Sequence, residues 1–210
     1  MSRLQQGFDR LAPFYDGLVR LFAGHAIPES QAGLVPFLEP AGTVLVIGGG
    51  TGLFLEELCA AMPTARFVNV ELSAGMLQRA KGRTGPAVEH RHGGLEMIRE
   101  NERFDLICTH CFLDLFEDRK LEQVMVALDR ALADGGIWLF GDFQSGQGRG
   151  SMVRSLHIRL LYLFFRISCG VRLHTLPDFQ AAFSRLGYRC VQSREFLEGM
   201  LVTRVYRRNL

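Results

Sequence analysis

Apolar positions along this chain follow two alternating periods, which predict strands and helices in turn. Residues 43–47 form an apolar run rich in β-branched side chains, as expected of a strand that is buried on both faces of a parallel sheet. Four further runs predict strands at residues 66–70, 88–92, 104–110 and 137–143. Between several of these runs, apolar residues recur at helical spacing. The alternation predicts an α/β fold with a parallel sheet.

The two ends of the chain depart from this alternation. Helical spacing predicts an N-terminal helix over about residues 1–22, broken or kinked at Pro13. Near the other end, predicted strands at 188–196 and 200–206 are separated only by residues 197–199, which is too short for a crossover helix. These two strands should therefore pair as an antiparallel hairpin. We expect a doubly wound, mainly parallel seven-stranded sheet with a C-terminal antiparallel hairpin.

Length and composition fit one globular domain. The chain has 210 residues, of which 48% are hydrophobic, and this supports a single packed core. A Gly- and Ser-rich loop begins at Ser145, and it is too short to act as a linker between domains. We interpret it as the start of a lid insertion over about residues 145–176. The prediction is one domain over residues 1–210.

Charge and cysteine content exclude several classes of protein. The 24 Lys and Arg residues nearly balance the 22 Asp and Glu residues, so no nucleic-acid surface is predicted. Five scattered cysteines favour a reducing, cytoplasmic setting. The apolar run at residues 160–165 is far shorter than the ~20 residues of a membrane span, so we expect no stable membrane insertion.

The turn after the first predicted strand carries the motif G-x-G-x-G at Gly48, Gly50 and Gly52. A dinucleotide-binding motif would require a small residue where Leu53 stands, and no Lys-Ser or Lys-Thr pair follows to form a phosphate-binding loop. Alternating glycines let the backbone approach a ligand closely, and the following helix offers free N–H groups to a carboxylate. An amino-acid moiety would suit this turn.

Glu71 ends the second predicted strand, about 20 residues beyond the last glycine of the turn. A carboxylate at this place can accept hydrogen bonds from both hydroxyls of a ribose. A solvated strand-end carboxylate is the alternative interpretation. Together, the glycine turn and Glu71 indicate an adenosyl ligand.

Six segments, taken in order, are similar to the motifs of one enzyme family. They are Phe8–Asp16, Val44–Gly52, Val70–Leu77, Phe104–Ile107, Leu132–Gly136 and Leu186–Tyr188. The chain resembles the class I S-adenosylmethionine-dependent methyltransferases, especially the small-molecule branch of the ubiquinone and menaquinone C-methyltransferases. The resemblance implies S-adenosyl-L-methionine as cofactor and a small, apolar or aromatic molecule as methyl acceptor. The cofactor-binding residues that it implies are Tyr15, Gly48, Gly49, Gly50, Thr51, Gly52, Glu71, Leu72, Met76, Gly94 and Leu95.

Three positions depart from the family pattern. The family often has acidic residues at the positions of Val46 and Gly94, the second of which binds the adenine amino group, and a histidine at the position of Asp114. Because Gly94 has no side-chain acceptor, adenine should depend on backbone groups and on apolar contacts from Leu72 and Leu95.

The candidate catalytic residues are His110 and Asp114, which follow the fourth predicted strand and would there face the transferred methyl group. A histidine satisfied by its neighbours is an equally open interpretation of His110. The pair Cys108 and Cys111 predicts ordinary packing and no metal site, because zinc needs four ligands and no second pair follows.

Two other functions remain open from the sequence. The departures at Val46, Gly94 and Asp114 would also fit a non-catalytic binding or regulatory module on the same fold. A nicotinamide-dependent oxidoreductase is disfavoured by Leu53. The acceptor, the methylated atom (carbon, nitrogen or oxygen) and the oligomeric state are not indicated by any motif.

Overall fold

Seven strands build the sheet of this computed structural model, which describes residues 3–144, 164–165, 167–170 and 176–209. The strands are β1 (Thr43–Ile47), β2 (Arg66–Glu71), β3 (Val88–His92), β4 (Phe104–His110), β5 (Leu132–Phe143), β6 (Tyr188–Phe196) and β7 (Leu201–Arg208). They are ordered β3-β2-β1-β4-β5-β7-β6. β1 to β5 are parallel, and β7 runs antiparallel to both β5 and β6. The predicted sheet with its terminal hairpin is confirmed.

Helices cover both faces of the sheet. The α-helices are α1 (Arg3–Leu11), α2 (Tyr15–Ala23), α3 (Ala26–Ala32), α4 (Leu53–Ala61), α5 (Ala74–Thr84), α6 (Asp118–Ala131) and α7 (Phe179–Arg185). Residues 167–169 are also helical. Within the described ranges, no helix combines the length and the apolar character needed to cross a membrane. The predicted lid over about residues 145–176 lies largely outside the described residues.

The structure corrects two boundaries predicted from the sequence. The N-terminal helix over about residues 1–22 is two helices, because the chain turns at residues 12–14 around Pro13. The connection from β3 to β4, where the sequence named no element, contains a short 3₁₀ turn, Leu95–Met97. β5 begins at Leu132 and not at residue 137, because the backbone becomes extended there and pairs with Phe104.

Burial on both faces explains why β1 has no polar alternation. Val44 and Val46 pack into a core cluster with α4, whereas Leu45 and Ile47 pack into a second cluster with α6 and α7. Each face of the strand is therefore covered by helices, as in other parallel sheets. The carboxyl ends of β1, β2 and β4 consequently meet at one edge of the sheet, where loops can form a site.

A network of ion pairs stabilises the β2–β3 side of the sheet. The buried Arg91 guanidinium donates to both carboxylate oxygens of Glu102, at 2.6 and 2.7 Å. Arg66 and Arg99 also pair with Glu102 and with Glu89. The hydrogen bond from Arg91 lowers the pKa of Glu102 to about 2.

We expect Glu102→Gln to lower the free energy of unfolding by about 2 kcal/mol, because it removes a charged acceptor from a buried guanidinium. Glu100→Gln, at an exposed position two residues away, should change it by less than about 0.5 kcal/mol. The pKa of Glu102 is lower in the folded state, so its contribution is present above the ordinary glutamate pKa and is lost as the pH falls toward 2. Urea denaturation at neutral and acidic pH measures this. If Glu102→Gln lowered the free energy of unfolding equally at neutral and at acidic pH, the stabilising role assigned to the charged Glu102 would be wrong.

Candidate active site

The glycine turn connects β1 to α4 at the carboxyl end of β1. Gly48, Gly50 and Gly52 adopt φ angles of +69°, +56° and +85°, which favour glycine. A Cβ on Gly48 would lie only 2.7 Å from the ring of Phe112, so this position has no room for a side chain. A Cβ on Gly50 would meet no atom within 4 Å, because Gly50 faces open space. The turn therefore presents bare backbone to a neighbouring space.

The carboxylate of Glu71, at the end of β2, reaches this turn. Its Oε2 accepts a hydrogen bond from the Gly50 N–H at 3.0 Å, and its Oε1 accepts one from the Ser73 N–H at 2.8 Å. Burial raises the pKa of Glu71, and these two hydrogen bonds oppose that rise. The side chain is buried, which does not fit the alternative of a solvated strand-end carboxylate.

A cavity of about 330 Å³ lies beside the glycine turn and Glu71. Phe8 of α1 and Tyr15 of α2 close one side, and Phe112 and Phe116 form an edge-to-face pair on another side, with ring centroids 5.2 Å apart. Eight predicted cofactor residues line this cavity: Tyr15, Gly48, Gly50, Glu71, Leu72, Met76, Gly94 and Leu95. The structure thus brings together residues from five separate segments of the chain.

A second cavity, of about 70 Å³, also lies at the turn. It is lined by Gly49, Thr51 and His110, and it shares Tyr15, Gly48, Gly50 and Cys111 with the larger cavity. Gly52 lines neither cavity; a Cβ there would lie 2.7 Å from the backbone of α5. The predicted cofactor residues are therefore divided between two adjoining spaces.

Cys111 differs from the ordinary packing residue that the sequence predicted. Cys108 is fully buried in the core, as expected, but Cys111 lines both cavities. Cys111 also has a φ angle of +48°, which is uncommon for a residue with a side chain. Such backbone conformations occur often at functional sites.

Two aspartates fix α1 and α2 to the site. Asp9 accepts a hydrogen bond from the Ser73 hydroxyl at 2.6 Å, and Asp16 accepts one from the Thr51 hydroxyl at 2.6 Å and one from Arg83 at 2.5 Å. Burial acts to raise the pKa of Asp9, but the hydrogen bonds from Ser73 and nearby N–H groups outweigh it and lower the pKa. The hydroxyl of Thr51 is therefore used in anchoring α2.

His110 and Asp114 are both buried at the ends of the central strands. Desolvation lowers the pKa of His110 to about 3, so the imidazole is neutral, and neither ring nitrogen has a hydrogen-bond partner among the described residues. The Asp114 N–H donates to Oδ2 of Asp142 at 3.1 Å. Burial and the neighbouring Asp114 raise the pKa of Asp142. His110 lines the smaller cavity, whereas Asp114 lies behind the walls of both cavities.

Glu96 is a site residue that the sequence analysis missed. Its Oε1 accepts a hydrogen bond from the Gly94 N–H at 2.8 Å, and both residues line the larger cavity. A Cβ on Gly94 would lie 2.9 Å from Oε2 of Glu96. The Glu96 carboxylate therefore occupies the space that a side chain at position 94 would need. The sequence signal for this contact was a glutamate two residues after a glycine.

Comparisons with known proteins agree with this geometry. Residues 44–136 match the family described as "Methyltransferase domain". The malonyl-[acyl-carrier protein] O-methyltransferase of Priestia megaterium is 32% identical over 144 residues, which cover 68% of this chain and 52% of that protein. The ubiquinone/menaquinone biosynthesis C-methyltransferase of Syntrophotalea carbinolica is 29% identical, covering 92% of this chain and 89% of that protein. The chain spans about half the length of the first of these relatives.

A solved structure shares the fold over its whole length. The N-methyltransferase NodS from Bradyrhizobium japonicum WM9, in complex with S-adenosyl-L-homocysteine, superposes with a TM-score of 0.65 and covers 100% of both chains. The sequence identity is 15%, so this likeness concerns the fold.

Proposed function

We propose that this chain, which belongs to the class I S-adenosylmethionine-dependent methyltransferases, transfers a methyl group from S-adenosyl-L-methionine to a small, apolar or aromatic acceptor. The observation that carries the proposal is the pair of adjoining cavities at the glycine turn, which share Tyr15 and Cys111 in their linings. The larger cavity would hold the adenosyl part of the cofactor. The smaller cavity, which is lined by Thr51 of the glycine turn and Leu53 at the start of α4, would hold the methionine end, and the reacting group of the acceptor would enter beside His110.

The residues around the larger cavity fit an adenosyl cofactor. Glu71 is a buried carboxylate with acceptor capacity beyond its bonds to Gly50 and Ser73, which suits the two ribose hydroxyls. Gly50 leaves open the space that a side chain would fill. Free N–H groups at the start of α4 suit the carboxylate of the methionine moiety. Bound S-adenosylmethionine supplies an already activated methyl group.

The protein's own contribution is alignment in a dry cleft. Phe8 and Tyr15 line the larger cavity, where their rings would limit the access of water to a bound cofactor. His110 is neutral, lines the smaller cavity and has no hydrogen-bond partner on either ring nitrogen among the described residues, so it can orient the acceptor through a hydrogen bond. Asp114 lies close enough to Tyr15 to contribute to the raised pKa of that phenol, although burial is the larger cause. We propose that Asp114 is a positioning residue for Tyr15.

Native mass spectrometry and an acceptor panel test the proposed function. We expect freshly purified protein to retain or bind S-adenosylmethionine or S-adenosylhomocysteine, and to methylate at least one phenolic, quinol or carboxylic acid acceptor in the panel. Binding without transfer to any acceptor would favour a non-catalytic module. Absence of adenosyl binding would refute the cofactor assignment.

Turnover should fall at least roughly tenfold in Tyr15→Ala once an acceptor is known, because a large side chain that lines both cavities is lost. His110→Ala should also lower turnover, because a ring nitrogen that orients the acceptor is lost, and it should leave the shape of the pH–rate profile near neutral pH unchanged. Steady-state kinetics over a pH series measures both effects. Unchanged turnover in both variants, with cofactor affinity intact, would place the acceptor elsewhere.

We further propose that Glu96 contributes to adenine recognition, beside the backbone groups and apolar contacts expected from the sequence. A carboxylate can only accept hydrogen bonds, so it favours the amino group of adenine over the carbonyl group of hypoxanthine. Wild type should prefer S-adenosylhomocysteine to S-inosylhomocysteine by about tenfold or more. Glu96→Gln should lose most of that preference, since an amide can also donate. Calorimetry measures the four affinities.

Gly94→Asp provides the corresponding control. The introduced Cβ would displace the Glu96 carboxylate, so Gly94→Asp alone should not increase the preference for adenine over hypoxanthine. Gly94→Asp combined with Glu96→Ala should restore that preference, because the new aspartate would replace the lost glutamate. An unchanged preference in Glu96→Gln would remove Glu96 from the adenine site.

The remaining proposals concern the cellular setting. We propose a cytoplasmic protein with a small-molecule acceptor and no nucleic-acid partner. Five scattered cysteines and a formal net charge of +2 support this.

A further inference from the structure

The acidic side chains of α1 and α2 point toward the body of the protein. Asp9 is bound to Ser73 of the loop after β2, and Asp16 is bound to Thr51 of the glycine turn and to Arg83 of α5. Both negative charges of these helices are therefore engaged in internal contacts. The charged side chains that α1 and α2 expose to solvent are arginines.

The solvent side of the same helices is basic and apolar. Phe14 and Leu21 are 69% and 74% exposed, and they lie seven residues apart, on one side of α2. Ile167 is 66% exposed in the helical segment that packs against Gly7 and Arg3 of α1. We call this surface the α1–α2 outer face: Arg3, Arg10, Phe14, Arg20, Leu21 and Ile167. Within the described residues, none of its three arginines forms an ion pair.

Aromatic residues connect the outer face to the larger cavity. Phe8, Tyr15 and Phe165 pack together with ring centroids 6.0 to 6.4 Å apart, and Phe8 and Tyr15 also line the cavity. Arg79 donates to the carbonyls of Ala12 and Pro13, which adds a cation beside Phe14. The helices that carry the outer face therefore also contribute aromatic side chains to the lining of the larger cavity.

We propose that the α1–α2 outer face binds an anionic lipid surface, with Phe14, Leu21 and Ile167 in the interface and the arginines on the lipid phosphates. Apolar side chains interspersed with Arg, without competing carboxylates, match the chemistry of such a surface. Binding would be peripheral and sensitive to salt. If the proposed function holds, this face would bring the cavity to a membrane-dissolved acceptor, but lipid binding itself does not depend on methyl transfer.

Vesicle co-sedimentation of the full chain tests the proposal. Wild type should bind vesicles of equimolar phosphatidylcholine and phosphatidylglycerol, bind pure phosphatidylcholine much more weakly, and dissociate as salt is raised. Each arginine removed should lower partitioning about fivefold, and removal of one apolar side chain roughly tenfold. The variant Arg10→Gln/Arg20→Gln/Leu21→Ser should therefore bind roughly 250-fold more weakly.

The matched control is Arg185→Gln/Arg189→Gln/Val191→Ser, which makes the same changes at exposed positions of α7 and β6. It should bind as wild type does. Hydrogen exchange of wild type with and without anionic vesicles adds a measurement that needs no variant, and α1 and α2 should become protected. S-adenosylhomocysteine affinity, measured in parallel, should not change in either variant.

Four results would overturn the lipid proposal. They are no binding of wild type to anionic vesicles, equal binding to neutral vesicles, an equal loss in the control variant, or an outer-face variant that changes oligomeric state and leaves vesicle binding intact. The last result would assign the face to a second copy of the chain. Failure of wild type to bind S-adenosylhomocysteine would instead refute the proposed function.

Discussion

Gly50→Val should abolish detectable binding of S-adenosylmethionine and S-adenosylhomocysteine. Gly50 has a φ angle of +56° and faces open space beside Glu71, so a branched side chain would fill the cofactor cavity. A β-branched residue is also strained at this φ, which should lower the free energy of unfolding by about 2 kcal/mol. Isothermal titration calorimetry and urea denaturation measure the two effects.

Gly24→Val separates the two effects. Gly24 has nearly the same φ angle, +59°, and a Cβ there would likewise meet nothing within 4 Å, but Gly24 lies on the exposed end of α2. This variant should lose similar stability and keep wild-type affinity. A folded Gly50→Val protein that still binds both ligands would refute the assignment of the glycine turn.

Glu71→Ala should weaken S-adenosylhomocysteine binding by about 3 kcal/mol, roughly a hundredfold. The change removes a charged acceptor for the ribose and also leaves the N–H groups of Gly50 and Ser73 without their carboxylate. Thermal unfolding checks that the variant is folded. Calorimetry with 2′-deoxy-S-adenosylhomocysteine then isolates the ribose contact: wild type should discriminate against the deoxy ligand, and Glu71→Ala should not.

The pH dependence of binding gives a second measurement on Glu71. Burial raises its pKa, so protonation begins above the ordinary glutamate range as the pH is lowered. Protonation removes acceptor capacity, and wild-type affinity should therefore fall with falling pH before it does in Glu71→Ala. If affinity depended on pH in the same way in wild type and Glu71→Ala, or if both proteins discriminated equally against the deoxy ligand, Glu71 would only stabilise the glycine turn and would not bind the ribose.

The fold was predictable because its signals are local. β-branched apolar runs, a helical stripe and glycines are read from short windows, and the predicted boundaries of β1, β3, β4 and β6 agree with the structure. The errors also have identifiable causes. The start of β5 was placed at residue 137, after Gly135 and Gly136, whereas the backbone is already extended at Leu132 because that residue pairs with Phe104 of β4.

The site was predictable only in part. The glycine turn and Glu71 combine a sequence motif with a strand end, and the topology of a parallel sheet brings such positions together. The sequence alone therefore determined the fold class, the family resemblance and most residues around the larger cavity.

Tertiary structure decided which distant residues complete the site. Asp9 contacts Ser73 across 64 positions of sequence. Cys111 lines both cavities and has a positive φ angle that no local sequence pattern predicts. The carboxylate of Glu96 reaches the space above Gly94 because the loop after β3 folds back on itself. Such contacts depend on the packing of separate elements and on side-chain direction, which periodicity along the chain does not encode.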